Sequence, residues 1–305
     1  MRTAFVETLT ELAEKDERVW LVTGDLGFSV FEEFAKRFPD RYLNVGVAEQ
    51  DMIGVSAGLA LSGMRPFAYS ISTFASMRAY EQIRNDVCYQ NLPVVIVGGG
   101  STFSYSTFGA THMPLEDVAI MRALPNMRVA VPGDPAEVRA LLTALHQESG
   151  PGYMRIAKKG EPVVHTDQSG ITLGMMSLMR DGSDGTIMVS GRQLPNALAA
   201  ADLLAGRGIQ PRVLSAHTVK PFDAAATVRA AKETGAILTV EEHSRVGGLA
   251  SAVADVLASE RLAVPFSALA VSDSFPKGVG SQEYFLAAHS LTAEGVADAL
   301  AALRT

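Results

Sequence analysis

The sequence predicts an α/β protein built from two doubly wound domains, and three observations carry that prediction. Short apolar runs alternate with segments of helical period along nearly the whole chain, glycines close many of the runs, and a polar break near residues 161–180 separates two such series. At 305 residues and 48% hydrophobic, the chain can bury two ordinary cores.

The first series begins with a helix over residues 3–15, with Phe5, Leu9 and Leu12 on one face, followed by a strand from Trp20 to Thr23. Gly24-Asp25-Leu26-Gly27 closes it, and Asp25 reads first as an ordinary turn acid. Residues 41–80 form the stretch that the rest serves. Tyr42 to Val45 is a short strand ending at Gly46, a helix runs from Val47 to Leu61, and Gly63 ends it. Its only charges, Glu49 and Asp51, lie in the first turn, where the helix dipole favours a carboxylate by about 0.3–1 kcal/mol. Gly54, Ala57, Gly58 and Ala60 give this helix a thin face that another backbone can approach. The sharper reading of Glu49 is a carboxyl at the edge of a buried apolar crevice, kept protonated so that it can donate.

After the strand PFAYSIS, Ser72-Thr73-Phe74 opens a second helix, with Met77 and Tyr80 three and six positions beyond Phe74. On an α-helix these three share a face near the strand ends, where ligands of such sheets bind. An aromatic stripe of this kind is more often core. Beside Glu49, it could hold a flat heteroaromatic ring, with an acid at one edge and a stacking face beside it.

The helix continues to about Asn91 and the strand PVVIVGG follows. The loop GGGSTFSYSTFGATHMP has no regular period and is rich in hydroxyl and aromatic residues, with His112 near its end. A strand (Met127–Val131), a turn (Pro132–Pro135), a helix (Ala136–Gln147) and a strand bearing Arg155 (Tyr153–Ala157) complete the series. An arginine fork suits phosphate or carboxylate, although a strand arginine is ordinarily a solvated residue. The domains are therefore read as 1–160 and 181–305, with 161–180 as linker. From Thr186, strands and helices alternate to a C-terminal helix starting at Thr292, which implies a smaller domain with a mostly parallel sheet. Glu241, Glu242 and His243 look like a cluster in isolation. Neighbours on a strand face opposite ways, so they are not read as a metal site.

Composition excludes several classes. A net charge of −7 with 19% charged residues supplies no basic stripe for nucleic acid. One cysteine, Cys88, forbids a disulfide framework and reads as a small core residue. The N-terminus lacks a signal peptide's apolar core, and no run is long enough to span a membrane, so the expected location is cytoplasmic.

Several ordered motifs resemble one family. NVGVAEQDMIGVSAGLALSGMRPFAYSISTF, RAYEQIRNDV, LPVVIVGGG, GATHMPLEDVAIMRALPNM and TVEEHSRVGGLASAV are similar to the pyrimidine-binding and C-terminal parts of transketolases and deoxyxylulose-phosphate synthases. The resemblance implies a thiamine-pyrimidine-binding domain followed by a transketolase C-terminal-like domain. It implies thiamine diphosphate as cofactor, with Glu49 hydrogen-bonding the pyrimidine and Phe74, Met77, Tyr80, Asp25 and Leu26 around it. It makes His112 the group facing the reacting carbonyl and hydroxyl of the donor sugar, and Ser29 and Arg155 contacts to substrate phosphate.

Two departures stand out. Phe108 holds the place of an acidic residue that reads sugar hydroxyls, and Gly100 that of a phosphate-binding histidine, which implies a non-standard sugar. The diphosphate-binding run, GDG followed by paired asparagines, is absent from this sequence. The resemblance therefore implies half of a split transketolase. Its partner chain would hold the diphosphate through Mg2+ or Ca2+, and the pair would form an α2β2 heterotetramer, inactive as this chain alone. The activity implied is transfer of a two-carbon ketol unit from a ketose to an aldose. Rival readings are the β subunit of a thiamine-dependent 2-oxo acid or acetoin dehydrogenase, a deoxyxylulose-phosphate-synthase-like fragment, and a non-catalytic binding module.

Overall fold

A computed structural model describes residues 1–27, 30–158, 160–165 and 170–304. In the first half, strands β1 (Val19–Thr23), β2 (Tyr42–Asn44), β3 (Arg65–Ile71), β4 (Val95–Gly99), β5 (Arg128–Ala130) and β6 (Gly152–Ile156) are mutually parallel where they pair. Helices α1 (Arg2–Lys15), α2 (Glu32–Arg37), α3 (Glu49–Leu61), α4 (Tyr80–Gln82), α5 (Asp117–Ala123) and α6 (Pro135–Gln147) connect or cover them. In the second half come β7 (Ser177–Arg180), β8 (Thr186–Val189), α7 (Leu194–Ala205), β9 (Arg212–Ser215), β10 (Thr218–Lys220), α8 (Ala224–Thr234), β11 (Ile237–Ser244), α9 (Leu249–Ser259), β12 (Phe266–Val271), α10 (Gln282–Ala288) and α11 (Ala293–Leu303).

The sheets run β10-β5-β6-β4-β3-β1-β2 and β12-β11-β8-β9-β7. Strand alternation sends successive side chains to opposite faces, so each sheet carries two cores. In the first, Leu21, Phe67 and Val95 pack with Phe5, Leu9 and Leu141 on one side. On the other, Val22, Ala68 and Ile96 pack with Met52, Ile53 and Met121. In the second, Ile187 and Val189 face α7 and α11, while Met188 faces α8 and α9. Apolar residues on both faces of the strands are what a sheet sandwiched between helices requires. Cys88 is 1% exposed within the first core, and burial pushes its thiol up to about 12.

Two strands fall outside the simple alternation. β7, in the stretch read as linker, pairs antiparallel with β9 at the edge of the second sheet. β10 crosses back to pair antiparallel with β5, completing the first sheet from the second half of the chain.

Candidate active site

The connection from β1 to β2 leaves in one direction, and the chain then returns past β1 to β3. Such a reversal opens a crevice at the carboxyl ends of the strands, the usual ligand position in open α/β sheets. Glu49 stands there, as the first residue of α3 and 1% exposed. Gly24, closing β1, lies so near that a Cβ on it would sit 3.6 Å from Glu49 Cγ and 3.7 Å from its Oε1. The Ser70 hydroxyl, on β3, donates to Glu49 Oε1 at 3.2 Å. Arg78 Nη1 donates to Oε2 at 2.7 Å.

The helical run after β3 is not the α-helix that the spacing suggests. Phe74–Arg78 and Ile83–Cys88 are π-helical, with α4 between them. The wider i→i+5 turn moves residues three apart away from each other and keeps residues four apart together. Phe74 accordingly carries the Arg78 guanidinium over its ring, 4.6 Å from the centroid. Met77 is half-buried. Tyr80, half-buried, donates its hydroxyl to the Ile120 carbonyl at 3.0 Å, and its ring packs against the first core.

His112 ends a short 3-10 turn, Ala110–His112, and meets Phe74 edge-on with ring centroids 5.1 Å apart. Phe108, largely exposed, lies 5.1 Å from His112 on another side. Thr111 Oγ1 is 3.0 Å from His112 Nδ1. Glu49 and Phe74, read from residue type and spacing, and His112, implied by the resemblance, lie at one place through Arg78 and the Phe74 ring, with Ser70 and Phe108 beside them.

Asp25 adopts a left-handed backbone at φ 57°; its N–H donates to Asn44 Oδ1 at 3.0 Å and its carboxylate accepts from Asn44 Nδ2 at 2.9 Å. Asn44 also accepts from the Gly46 N–H, so one amide ties the ends of β1 and β2 together ahead of Glu49. Sequence reading missed it; an asparagine just before a strand-ending glycine is the signal. Leu26 lines a cavity of ≈ 230 Å3 with Phe31, Tyr42 and Asn44. Ser29 lies outside the described residues.

Arg155 lies on β6, the strand read for it. It is 3% exposed; its Nη1 pairs with Asp117 Oδ1 at 2.9 Å and its Nη2 donates to the Glu242 carbonyl at 3.0 Å. A guanidinium held this way inside the seam between the two halves has both terminal nitrogens engaged by protein groups. The loop before His112 joins the same seam. Phe103 stacks on Phe285 at 5.3 Å within the second core, and Ser106 donates to the Gly280 carbonyl. Gly100, at φ +105°, has no room for a side chain, since a Cβ would come within 2.6 Å of the Tyr105 ring.

Glu242 points away from Glu241 and His243, which share the other face of β11, with Glu241 Oε2 3.9 Å from His243 Nδ1. Glu241 accepts from the Leu249 and Ala250 N–H groups at the start of α9, and Glu242 Oε1 accepts from Gln193. His243 Nε2 accepts from the Ala119 N–H, so its other nitrogen carries the proton toward the Ser244 carbonyl.

The residues fit a flat ring that offers a nitrogen to a carboxyl: a buried acid, an aromatic face beside it, and Thr73 Oγ1 buried without a partner next to Phe74. Comparison with known proteins agrees with this fit. Residues 1–161 match the transketolase pyrimidine-binding domain and residues 174–296 the transketolase C-terminal domain. A 6-deoxy-6-sulfo-D-fructose transketolase subunit, SqwH, of Clostridium sp. (strain MSTE9) is 41% identical over 97% of this chain and 92% of its own. One of the subunits of the apulose-4-phosphate transketolase of Phocaeicola vulgatus is 37% identical over 97% of this chain and 94% of its own. A split-gene transketolase solved as an inactive β4 tetramer is 38% identical and superimposes with a TM-score of 0.92, covering 100% of this chain and 99% of that one. With both domains matched in order and relatives of this closeness spanning almost its full length, the chain belongs to the transketolase family.

Proposed function

We propose that this chain is the pyrimidine-binding, C-terminal subunit of a split transketolase that moves a two-carbon ketol unit from a ketose to an aldose. The observation that carries the proposal is the convergence of Glu49, the Phe74 ring and His112 at the switch point of the first sheet. Thiamine diphosphate, when bound, would supply the carbon that adds to the ketose carbonyl and carries the ketol unit. Glu49 would hold a proton against a pyrimidine nitrogen, sheltered from water by α3 and β3. Phe74 would give the ring its stacking face. His112, half-exposed at the mouth, would hydrogen-bond the sugar's reacting oxygen and move a proton there.

The site's outer wall supports a second chain. Val47 and Leu61, on either end of Glu49's helix, are 72% and 69% exposed, and Cβ atoms on Gly54 and Gly58 would meet nothing. We place the diphosphate, its Mg2+ or Ca2+ and the completing wall on the partner subunit of an α2β2 assembly, working in the cytoplasm. Among the described residues no helix is long and apolar enough to cross a membrane. A non-standard sugar is supported by Phe108 at the mouth and by Tyr105 filling the space over Gly100. The relatives that act on a sulfo-sugar and on apulose phosphate set the first donors to try.

The test is reconstitution with a candidate partner, thiamine diphosphate, magnesium and a panel of ketose donors and aldose acceptors. The expected result is ketol transfer by the complex and none by this chain alone. Glu49→Gln should lose at least about 100-fold in turnover while circular dichroism stays unchanged. Robust turnover without a partner, or near-normal transfer by Glu49→Gln, defeats the proposal. Transfer from a 2-oxo acid to lipoamide, or from pyruvate to an aldose, would move the chain to one of the rival activities.

A further inference from the structure

Arg78 lies where the ring should lie. Its guanidinium is flat, stacks on the Phe74 face 4.6 Å from the centroid, and donates to Glu49 Oε2 at 2.7 Å. These are the two contacts that an aminopyrimidine would make with the same residues. Two flat groups cannot share one ring face and one carboxylate oxygen. Resting on the cofactor reading above, we propose that Arg78 is a positioning residue that occupies the pyrimidine seat until the cofactor displaces it.

The physical reason lies in the unequal burial of the pair. The Glu49 side chain is 1% exposed, whereas that of Arg78 is 46% exposed. A carboxylate taken out of water without a partner is strongly disfavoured, so an unfilled seat would either lose the charge or draw water into the crevice. Arg78 supplies a cation and a planar surface from a side chain whose stem reaches solvent. Leaving therefore returns the guanidinium to water, while Glu49 stays in place on α3 for the incoming ring. Helical spacing makes the arrangement available, because residues four apart, such as Phe74 and Arg78, share one face.

The contact sets up a competition. Cofactor affinity would be reduced by the free energy of the Glu49–Arg78 pair, in the manner of any protein whose binding-competent state is fractionally populated. Arg78→Ala should empty the seat, and Arg78→Lys should keep the charge but lose the planar stack.

Two measurements test this. In the isolated chain at pH 8, Arg78→Ala should lower the thermal midpoint, and Glu49→Gln should abolish that effect; additive effects of the two substitutions overturn the proposal. In the reconstituted complex without sugar, thiamine diphosphate titrated against intrinsic fluorescence should bind Arg78→Ala about tenfold more tightly than the parent, with Arg78→Lys between them. Weaker binding would make Arg78 a contact to the bound ring, and unchanged binding would mean the seat is not contested; either result overturns the proposal. A parent complex that binds no thiamine diphosphate overturns the proposed function together with this inference. Normal binding by the parent with the wrong Arg78 response overturns this inference alone.

Discussion

Phe74 touches both His112, edge-on, and the Arg78 guanidinium, and the two contacts assign different kinds of work to neighbouring residues. If the ring is a stacking face, Phe74→Ala should weaken cofactor binding by roughly tenfold, the size of an aromatic pair, and leave the turnover of saturated enzyme within a few-fold. His112 stands outside the seat, between Phe74 and Phe108. His112→Ala should therefore lower turnover by about 10²–10⁴-fold with little change in cofactor affinity. Steady-state kinetics with varied cofactor in the reconstituted complex separates the two. A His112→Ala enzyme that changes only in cofactor affinity would demote the histidine to packing. The closeness of Glu49 and Phe74 was legible because each stands where the chain leaves a strand, whereas His112, in a loop, was legible only through the resemblance. Arg78 and Ser70 were not, since nothing in RAYEQIRNDV or PFAYSIS says that their side chains turn back to a carboxylate on another helix. The burial of Arg155 was not legible for the same reason. A strand position gives its face, but not that the face is closed by a second domain carrying the Glu242 carbonyl.

At the level of elements, the hydrophobic pattern located the longer helices and the parallel strands, because both faces of each strand are apolar and glycines mark the ends, but not the short helices α2 and α10. It failed where the hydrogen bonding departs from the regular repeat. The π turns at Phe74–Arg78 and Ile83–Cys88 have the composition of an α-helix, so the face shared by Phe74, Met77 and Tyr80 was drawn from the wrong pitch. β10 escaped because Thr218–Lys220 is short and pairs far along the chain, with β5. Its arrival builds a buried joint with a pH response. Asp134 caps α6 and receives the Val164 and His165 N–H groups; burial alone would raise its carboxyl, but the His165 imidazole, then these bonds and the one from Glu137 N, hold it at about 2. Glu137, fully buried, accepts from Ser215 and the Gly133 N–H, and burial still pushes it up to about 7. His217, beside β10, is pushed down to about 4 by burial, then by His165, against the opposing pull of Asp134 and Asp223. The signs oppose. Glu137 has a raised value, so its contribution is present below about pH 4.5 and lost as pH rises to about 7. His217 has a depressed value, so its contribution is present above about pH 6.5 and lost as pH falls to about 4. Each is at most about 3 kcal/mol. Glu137→Gln should therefore leave a thermal midpoint that climbs from pH 4.5 to 6.5. His217→Asn should leave one that falls from pH 4.5 to 7. Calorimetry across that range checks both, and flat profiles in both variants would exclude this joint as the source.

Across the whole molecule, the two halves are joined by charge as well as by apolar packing. Arg155 and Asp117 form an ion pair with side chains 2% and 0% exposed, Tyr153 Oη donates to the same carboxylate at 2.5 Å, and Arg155 reaches across to the Glu242 carbonyl. Thr102 Oγ1 bonds both the Pro114 and the Glu242 carbonyls, so β11 of the second sheet is tied to the loop that ends in His112. The mouth of the site is thereby set by the seam, and the position of His112 depends on residues that never touch a ligand. Removing one member of a buried pair leaves the other charge uncompensated, at about 3–5 kcal/mol. That is a large share of the ~5–15 kcal/mol stability of an ordinary domain. Arg155→Met should show this loss in equilibrium denaturation, and its single transition should broaden or split as the halves uncouple. Adding Asp117→Asn should recover much of the stability, because the stranded carboxylate is then gone. A phosphate-binding arginine would behave otherwise: Arg155→Met would leave denaturation unchanged and raise KM for phosphorylated sugars while sparing unphosphorylated ones. The burial of both partners and the spent donors of Arg155 favour the first outcome, and the double substitution decides between them.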